Sequence, residues 1–368
     1  MAISEEDLAR FQEYVRPVPT PPGFTSREIV RRAIEFADPP RVPYSFIEPL
    51  ESDFVELAAV VTTTGRLDMY AVPKGEIAFD EWGVGWRSSG RLWGHADVCP
   101  LADLSALKGY QFPQVITDEQ IALVKLMIEA GAASEKYVMG ADPISMYERL
   151  RGLMGFENLM VAMYGDRDRF EMLLDQLTDM TIDVVRTYVE LGGVHGFMSW
   201  DDWGLQTNLQ INPAYWRTLF KPRYARIADA CHKAGMHYVL HSCGFIWAII
   251  PDLIEIGVDV LQIDQPRLMG VERLADAFGG KVCFWNCVDI QWSTLRETIL
   301  EEVLQEPARM IEHFGGHHGG FIARQYPQPR DIEISPDMHR AIYDAFMAAG
   351  CLGPSAPPKP SGPHALTP

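Results

Sequence analysis

No apolar run in this 368-residue chain approaches the roughly 20 residues that a membrane-crossing helix requires. Basic charge is also scarce. Lys and Arg number 32 against 50 Asp and Glu, a formal net charge of -18. Nucleic-acid binding draws on basic surface that displaces counterions, and no basic stripe is present. The six cysteines, at 99, 231, 243, 283, 287 and 351, form no CxxC pair and no compact ladder, which argues against a secreted disulfide framework. A glycine-rich strand-to-helix loop of the dinucleotide or Walker type is missing as well. The amino end, MAISEEDLARFQEYVRP, is acidic and helix-like, unlike a secretory signal. The expectation is a cytoplasmic protein that acts on a small molecule and binds neither nucleic acid nor membrane.

What is present is apolar content of 47%, enough for one large barrel or two ordinary domains. Strand-like runs cover 41–46, 136–140, 196–200, 236–242, 259–264, 282–287 and 319–323. Amphipathic patterns between several of them predict helices over 168–191, 216–235, 247–257 and 295–314. Such alternation means parallel strands joined by crossover helices. Polar and reactive residues gather where the strands end: Asp201 and Asp202, His241 and Cys243, Asp264, then Asn286, Cys287 and Asp289. In a (β/α)8 barrel those ends form the active-site face. An open doubly wound sheet also binds ligand at strand ends, but the missing glycine-rich loop favours the barrel. The predicted fold is α/β, a (β/α)8 TIM-type barrel over 41–353. An N-terminal helical extension over 1–40 precedes it, with Thr25 or Ser26 capping a helix that begins near Arg27. Proline and small polar residues predict a disordered tail over 354–368.

Several stretches fall in a recognisable order: DEWGVGWR (80–87), SWDDWGLQTNLQINPAYW (199–216), HSCG (241–244), GVDVLQIDQP (257–266), FGGKVCFWNCVD (278–289) and GGFIA (319–323). Together they resemble the uroporphyrinogen decarboxylase superfamily, whose members include decarboxylases and zinc-dependent corrinoid and thiol methyltransferases. The chain departs from true decarboxylases in two places. Their arginine-rich segment of the type RQAGR, which grips substrate carboxylates, is replaced by RVPYSFIEPLESDF with acidic Glu48, Glu51 and Asp53. Their glycine-histidine-glycine turn after the last strand is replaced by IARQYPQPRD. A polycarboxylate porphyrinogen would meet the wrong charge in such a cleft. The chain also departs from the thiol-activating methyltransferases, which add a second cysteine after the last strand; 323–330 holds none.

The resemblance implies a zinc site that includes His241 and Cys243; since the family's second cysteine is missing, the strand-end position of Cys287 makes it the candidate third ligand. Residues two apart on a strand share a face, so His241 and Cys243 project together, and Cys287 ends a strand that converges on the same mouth. Zinc favours nitrogen and sulfur donors and keeps a position open in catalytic sites. Glu48 or Asp264 would fill that position at rest. Cys283 reads as core filling. Asp201, Asp202, Asp264 and Tyr326 are the catalytic candidates, since carboxylates around one mouth shift one another's pKa and supply acid or base. For Asp201 and Asp202 a capping or turn role is the structural alternative. Glu48, Trp200, Trp203, Gln265, Trp285, Asn286 and Asp289 are candidates for binding substrate, the tryptophans as an aromatic wall. The His317–His318 pair, flanked by glycines, reads as a turn on the opposite face.

The resulting reading is a zinc-dependent methyltransferase. It would move a methyl group between a small methoxylated or methylated substrate, or a thiol, and a corrinoid carried by a partner protein. The first alternative is a metal-free lyase acting on a small carboxylic acid, for which Arg87, Arg267 or Arg324 would face the carboxylate. The second is a non-catalytic barrel that binds a ligand or a corrinoid protein. Dimers are common in the superfamily that the chain resembles, which allows a homodimer, but the sequence leaves the oligomeric state open.

Overall fold

The computed structural model describes residues 17–46, 51–61, 67–91, 94–295 and 298–351. Eight parallel strands form the barrel: β1 Tyr44–Ser45, β2 Phe54–Glu56, β6 Tyr137–Ala141, β7 Gly196–Trp200, β8 His237–His241, β9 Val260–Ile263, β10 Cys283–Asn286 and β11 Phe321–Arg324. A small antiparallel sheet of β3 Ile77–Phe79, β4 Gly85–Arg87 and β5 His95–Val98 is inserted between β2 and β6. The barrel order is β1-β11-β10-β9-β8-β7-β6-β2, so the circuit closes between the two shortest strands, β1 and β2. Ser45 Oγ donates to Glu56 Oε1 across that seam at 2.6 Å, and Asp53 ties it further. Asp53 donates its N–H to the Tyr44 carbonyl (2.8 Å), and its carboxylate accepts the Tyr44 N–H (3.0 Å) and two bonds from Arg41 (2.6 and 2.7 Å). Arg41 and Asp53 are both buried, so each ion is desolvated and stable only while the other is in place.

Alternation along the strands sorts the core into two parts. One set of side chains faces the surrounding helices; the other, including Phe54, Tyr137, Met198, Val239, Trp285 and Ile322, fills the barrel itself. Helix α1, Ser26–Ile34, adds Val30 and Ile34 to that interior cluster. Burying each contributes roughly 1.5–3 kcal/mol. The segment expected as an extension is therefore the floor of the barrel. Thr25 is its N-cap, accepting the Glu28 N–H at 3.1 Å.

Two local differences from the sequence expectation have simple causes. β2 has no counterpart among the expected strands, because three residues in an acidic stretch carry no usable period. The helix expected over 216–235 is two helices, Pro213–Leu219 and Lys221–Lys233, because Pro222 lacks the N–H that would continue the first one. His318 adopts a left-handed φ of 64° and bonds Asp38 at 2.8 Å, in the turn that leads to β11. Among the described residues, no helix is long and apolar enough to cross a membrane. The expected tail over 354–368 lies outside the described residues.

Candidate metal centre at the barrel mouth

The loops that follow β7 and β8 touch at two glycines. Gly204 donates its N–H to the Cys243 carbonyl at 3.1 Å. A Cβ on either Gly204 or Gly244 would lie 2.4 Å from backbone atoms of the other loop, and Gly244 has a φ of 79°. Only glycine permits both the approach and the conformation. The crossing brings Asp202 against His241 and Cys243. Asp202 Oδ1 accepts the Cys243 N–H at 2.9 Å and lies 3.2 Å from His241 Nε2. Cys243 Sγ lies 3.5 Å from the same Nε2. One donor atom from each of these residues falls within 4.8 Å of the others.

A second layer orients the histidine. β8 and β9 pair His241 with Gln262, and His241 Nδ1 meets Gln262 Oε1. Gln262 is itself aimed by Asp264, whose Oδ1 accepts its Nε2–H at 2.5 Å. This chain places the ring proton on Nδ1 and leaves Nε2 facing Asp202 and Cys243. Burial acts against the charged forms here, but the His241–Asp202 contact outweighs it. Asp202 is held down at about 2 by the histidine and by bonds from Cys243, while its carboxylate raises His241 above the ordinary value. Burial, then the charge of Asp202, pushes the Cys243 thiol well up. Beside them, burial and then Asp202 raise Glu148 to about 7.

The other expected residues divide by where their polar atoms go. Asp264 is buried at the mouth and accepts from Cys287 Sγ at 3.3 Å, so the thiol of Cys287 is engaged with Asp264 and stands outside the three-residue group. Trp200 packs on the barrel interior, and the raised Tyr326 hydroxyl feels burial first, then Asp264 and Cys243. Asp201 has turned away. It accepts the Tyr147 and Glu148 N–H groups (2.8 and 3.0 Å) and the Tyr224 hydroxyl (2.5 Å), capping the helix Met146–Met154. Trp203 is fully buried and stacks on Tyr147 with ring centroids 3.9 Å apart. Trp285 fills the barrel interior against Phe54. Asn286 accepts the Ile263 N–H at 3.0 Å on the helix-facing side. Asp289 binds three loop amides, those of Arg267, Gln291 and Trp292. Gln265 supports the Gly244 N–H at 2.9 Å. Asp53 belongs to the seam rather than the cleft, and Glu48 lies outside the described residues.

Two members of the site were not singled out from sequence. Gln262 shares the strand parity of Asp264, and a polar residue inside an apolar strand was its signal. Glu148 comes from a helix about fifty residues upstream of Asp202, and nothing local announces it.

Imidazole nitrogen, thiol sulfur and carboxylate oxygen are donors that zinc takes, and three protein donors are the number a catalytic site uses. Asp202, His241 and Cys243 therefore fit such an ion.

The fold and site define a parallel (β/α)8 barrel with a soft-donor cluster at its strand-end mouth. Residues 143–324 match the family model of uroporphyrinogen decarboxylase (URO-D). A uroporphyrinogen decarboxylase from Bacillus pumilus is 27% identical over 153 residues, which cover 41% of this chain and 39% of that relative. A solved methyltransferase from Methanosarcina mazei shares the fold with a TM-score of 0.59 at 15% identity, over 88% of this chain and 99% of that one. The matched half of the chain is thus similar to uroporphyrinogen decarboxylase, and the fold is shared with a methyltransferase barrel.

Proposed function

We propose that this protein is an enzyme that binds zinc through Asp202, His241 and Cys243 and transfers a methyl group. The methyl group passes between a small methylated or methoxylated substrate, or a thiol, and a corrinoid on a partner protein. The observation that carries the reading is the donor cluster itself, within 4.8 Å at the mouth of the barrel. When bound, zinc supplies Lewis acidity that makes the demethylated heteroatom a better leaving group. The chain's own residues do the rest. Gln262 and Asp264 hold His241 in one tautomer. Trp200 packs on the barrel interior, and Tyr326 lies near Asp264 and Cys243, where each can contact a bound substrate. Glu148, held at about 7 beside Asp202, is placed to hold or return a proton on the heteroatom. The test is metal analysis of protein purified without added metal, followed by assay of methyl transfer to reduced cobalamin. Zinc that accompanies wild type and is lost in Cys243→Ser supports the reading. No metal after reconstitution would overturn it.

A further inference from the structure

Among the described residues, Arg324 at the mouth has no hydrogen-bonded side-chain partner. Of the three arginines that the sequence offers for a carboxylate, two are committed elsewhere, and Arg151 beside the site bonds Glu148 at 2.7 Å. Arg87 is exposed and bonded to Asp97. Arg267 bonds Glu306 at 2.9 Å and stacks on Trp292. Arg324 is different. Its side chain is 8% exposed, and its Nε is buried with no hydrogen-bond partner among the described residues. Its nearest counter-charge is Asp264 Oδ1, 4.0 Å away, an oxygen already shared by Gln262 and Cys287. β11 alternates, and Ile322, two residues earlier, belongs to the interior cluster, so Arg324 projects inward at the mouth. Its guanidinium carbon lies 5.4 Å from the ring of Trp285, whose indole Nε1 is also buried without an acceptor. The unmet inward-facing groups on β10 and β11 are thus both donors.

A guanidinium has five donors in a fixed fork and stays ionised, so burying even its Nε–H without an acceptor is costly. A carboxylate offers the matching pair of acceptors. We propose that Arg324 is a substrate-binding residue that receives a carboxylate, so that the substrate of this site is a small carboxylic acid. This rests on the mouth being the substrate site, but not on the reaction carried out there. The carboxylate would anchor the molecule on the β10–β11 side, opposite the β7–β8 loops that supply Asp202 and Cys243. One end of the substrate is thereby held while the other meets the donor cluster. The overall negative charge of the chain does not oppose this, because the field at the subsite is set by the nearest group, a buried cation.

The test is calorimetric titration of purified protein with acetate, benzoate, 3-phenylpropionate and succinate, with benzamide as the uncharged match to benzoate. At least one carboxylate is expected to bind saturably, and benzamide to bind more weakly than benzoate. Arg324→Met is expected to weaken the bound carboxylate roughly 10- to 100-fold, as loss of a charged hydrogen-bonded pair does, and Arg324→Lys to fall between. Because no hydrogen bond is lost, the melting temperature of Arg324→Met should not fall. Equal affinity in wild type and Arg324→Met would overturn the proposal. So would the absence of saturable binding by every carboxylate, or a lowered melting temperature with binding intact. Zinc content, measured on the same samples, is expected to be unchanged in Arg324→Met. A protein that holds no zinc but binds carboxylate through Arg324 would sink the methyl-transfer reading and leave this one standing.

Discussion

His237 and His241 lie four residues apart on β8, face the same barrel interior, and end up with opposite electrostatics. At the floor, His237 Nδ1 is 2.8 Å from the Tyr137 hydroxyl and its Nε2 is 3.4 Å from Glu35. Burial there prevails over the nearby carboxylates Asp259 and Glu35, and its pKa is lowered. Its neighbour His195, whose Nδ1 accepts the Val138 N–H at 2.9 Å, is pushed down to about 4 by burial and then by Arg27 and His237. At the mouth, the Asp202 carboxylate outweighs burial and raises His241. The same side chain is a neutral packing group at one end and a polarised donor at the other. The deciding factor is a well-placed carboxylate, delivered to the mouth by two loops that meet at glycine.

This contrast can be broken deliberately. The largest effect is expected from Cys243→Ser, which should take bound zinc from about one per chain to near none. His237→Gln should leave it unchanged, and metal analysis of both reads the difference. Next comes Gly244→Ala. It places a Cβ 2.4 Å from Gly204 at a φ of 79°, and should cost roughly 3 kcal/mol in urea unfolding by clash and strain. Any protein that still folds should have lost metal affinity.

Gln262→Leu tests the mouth more gently. Without the acceptor on His241 Nδ1, zinc affinity should drop about 10- to 100-fold with little loss of fold, as read by competition with a chelator. The smallest effect belongs to the floor. His195 titrates near 4 when folded and near 6.5 when unfolded, so the unfolded chain takes the proton first as pH falls. Its contribution is full above about 6.5 and is lost progressively toward about 4, so stability rises with pH across that window. His195→Gln should flatten this acid limb by on the order of 2 kcal/mol, measured by urea unfolding at pH 7.5 and 4.5.

Much of the barrel was legible from sequence because β6 to β11 are apolar runs with turn residues at both ends. β2 was not, since Phe54–Glu56 is too short to show alternation. At the site, His241, Cys243 and Asp264 could be placed by strand parity alone. Which of Asp201 and Asp202 would face inward could not, because the choice is made by amides of Tyr147 and Glu148, supplied from a distant helix. Cys287 has the right parity and the right strand, yet its thiol turns to Asp264. Parity specifies a face, and only packing specifies a rotamer. Arg324 carried the weakest signal, since an arginine after an apolar run gives no hint that its Nε will be buried without an acceptor.

The floor helix has a consequence for how the chain assembles. Gly320, just ahead of the last strand, donates to the Ala33 carbonyl of α1 at 2.7 Å, and Asp38 N–H meets the His318 carbonyl at 2.8 Å. The first described helix and the last strand therefore close on each other across nearly the whole sequence. Contacts so far apart are entropically expensive to form early. During synthesis, Val30 and Ile34 have no completed barrel to enter until β11 has emerged, so the hydrophobic face of α1 is the part of the nascent chain left waiting longest for its partner.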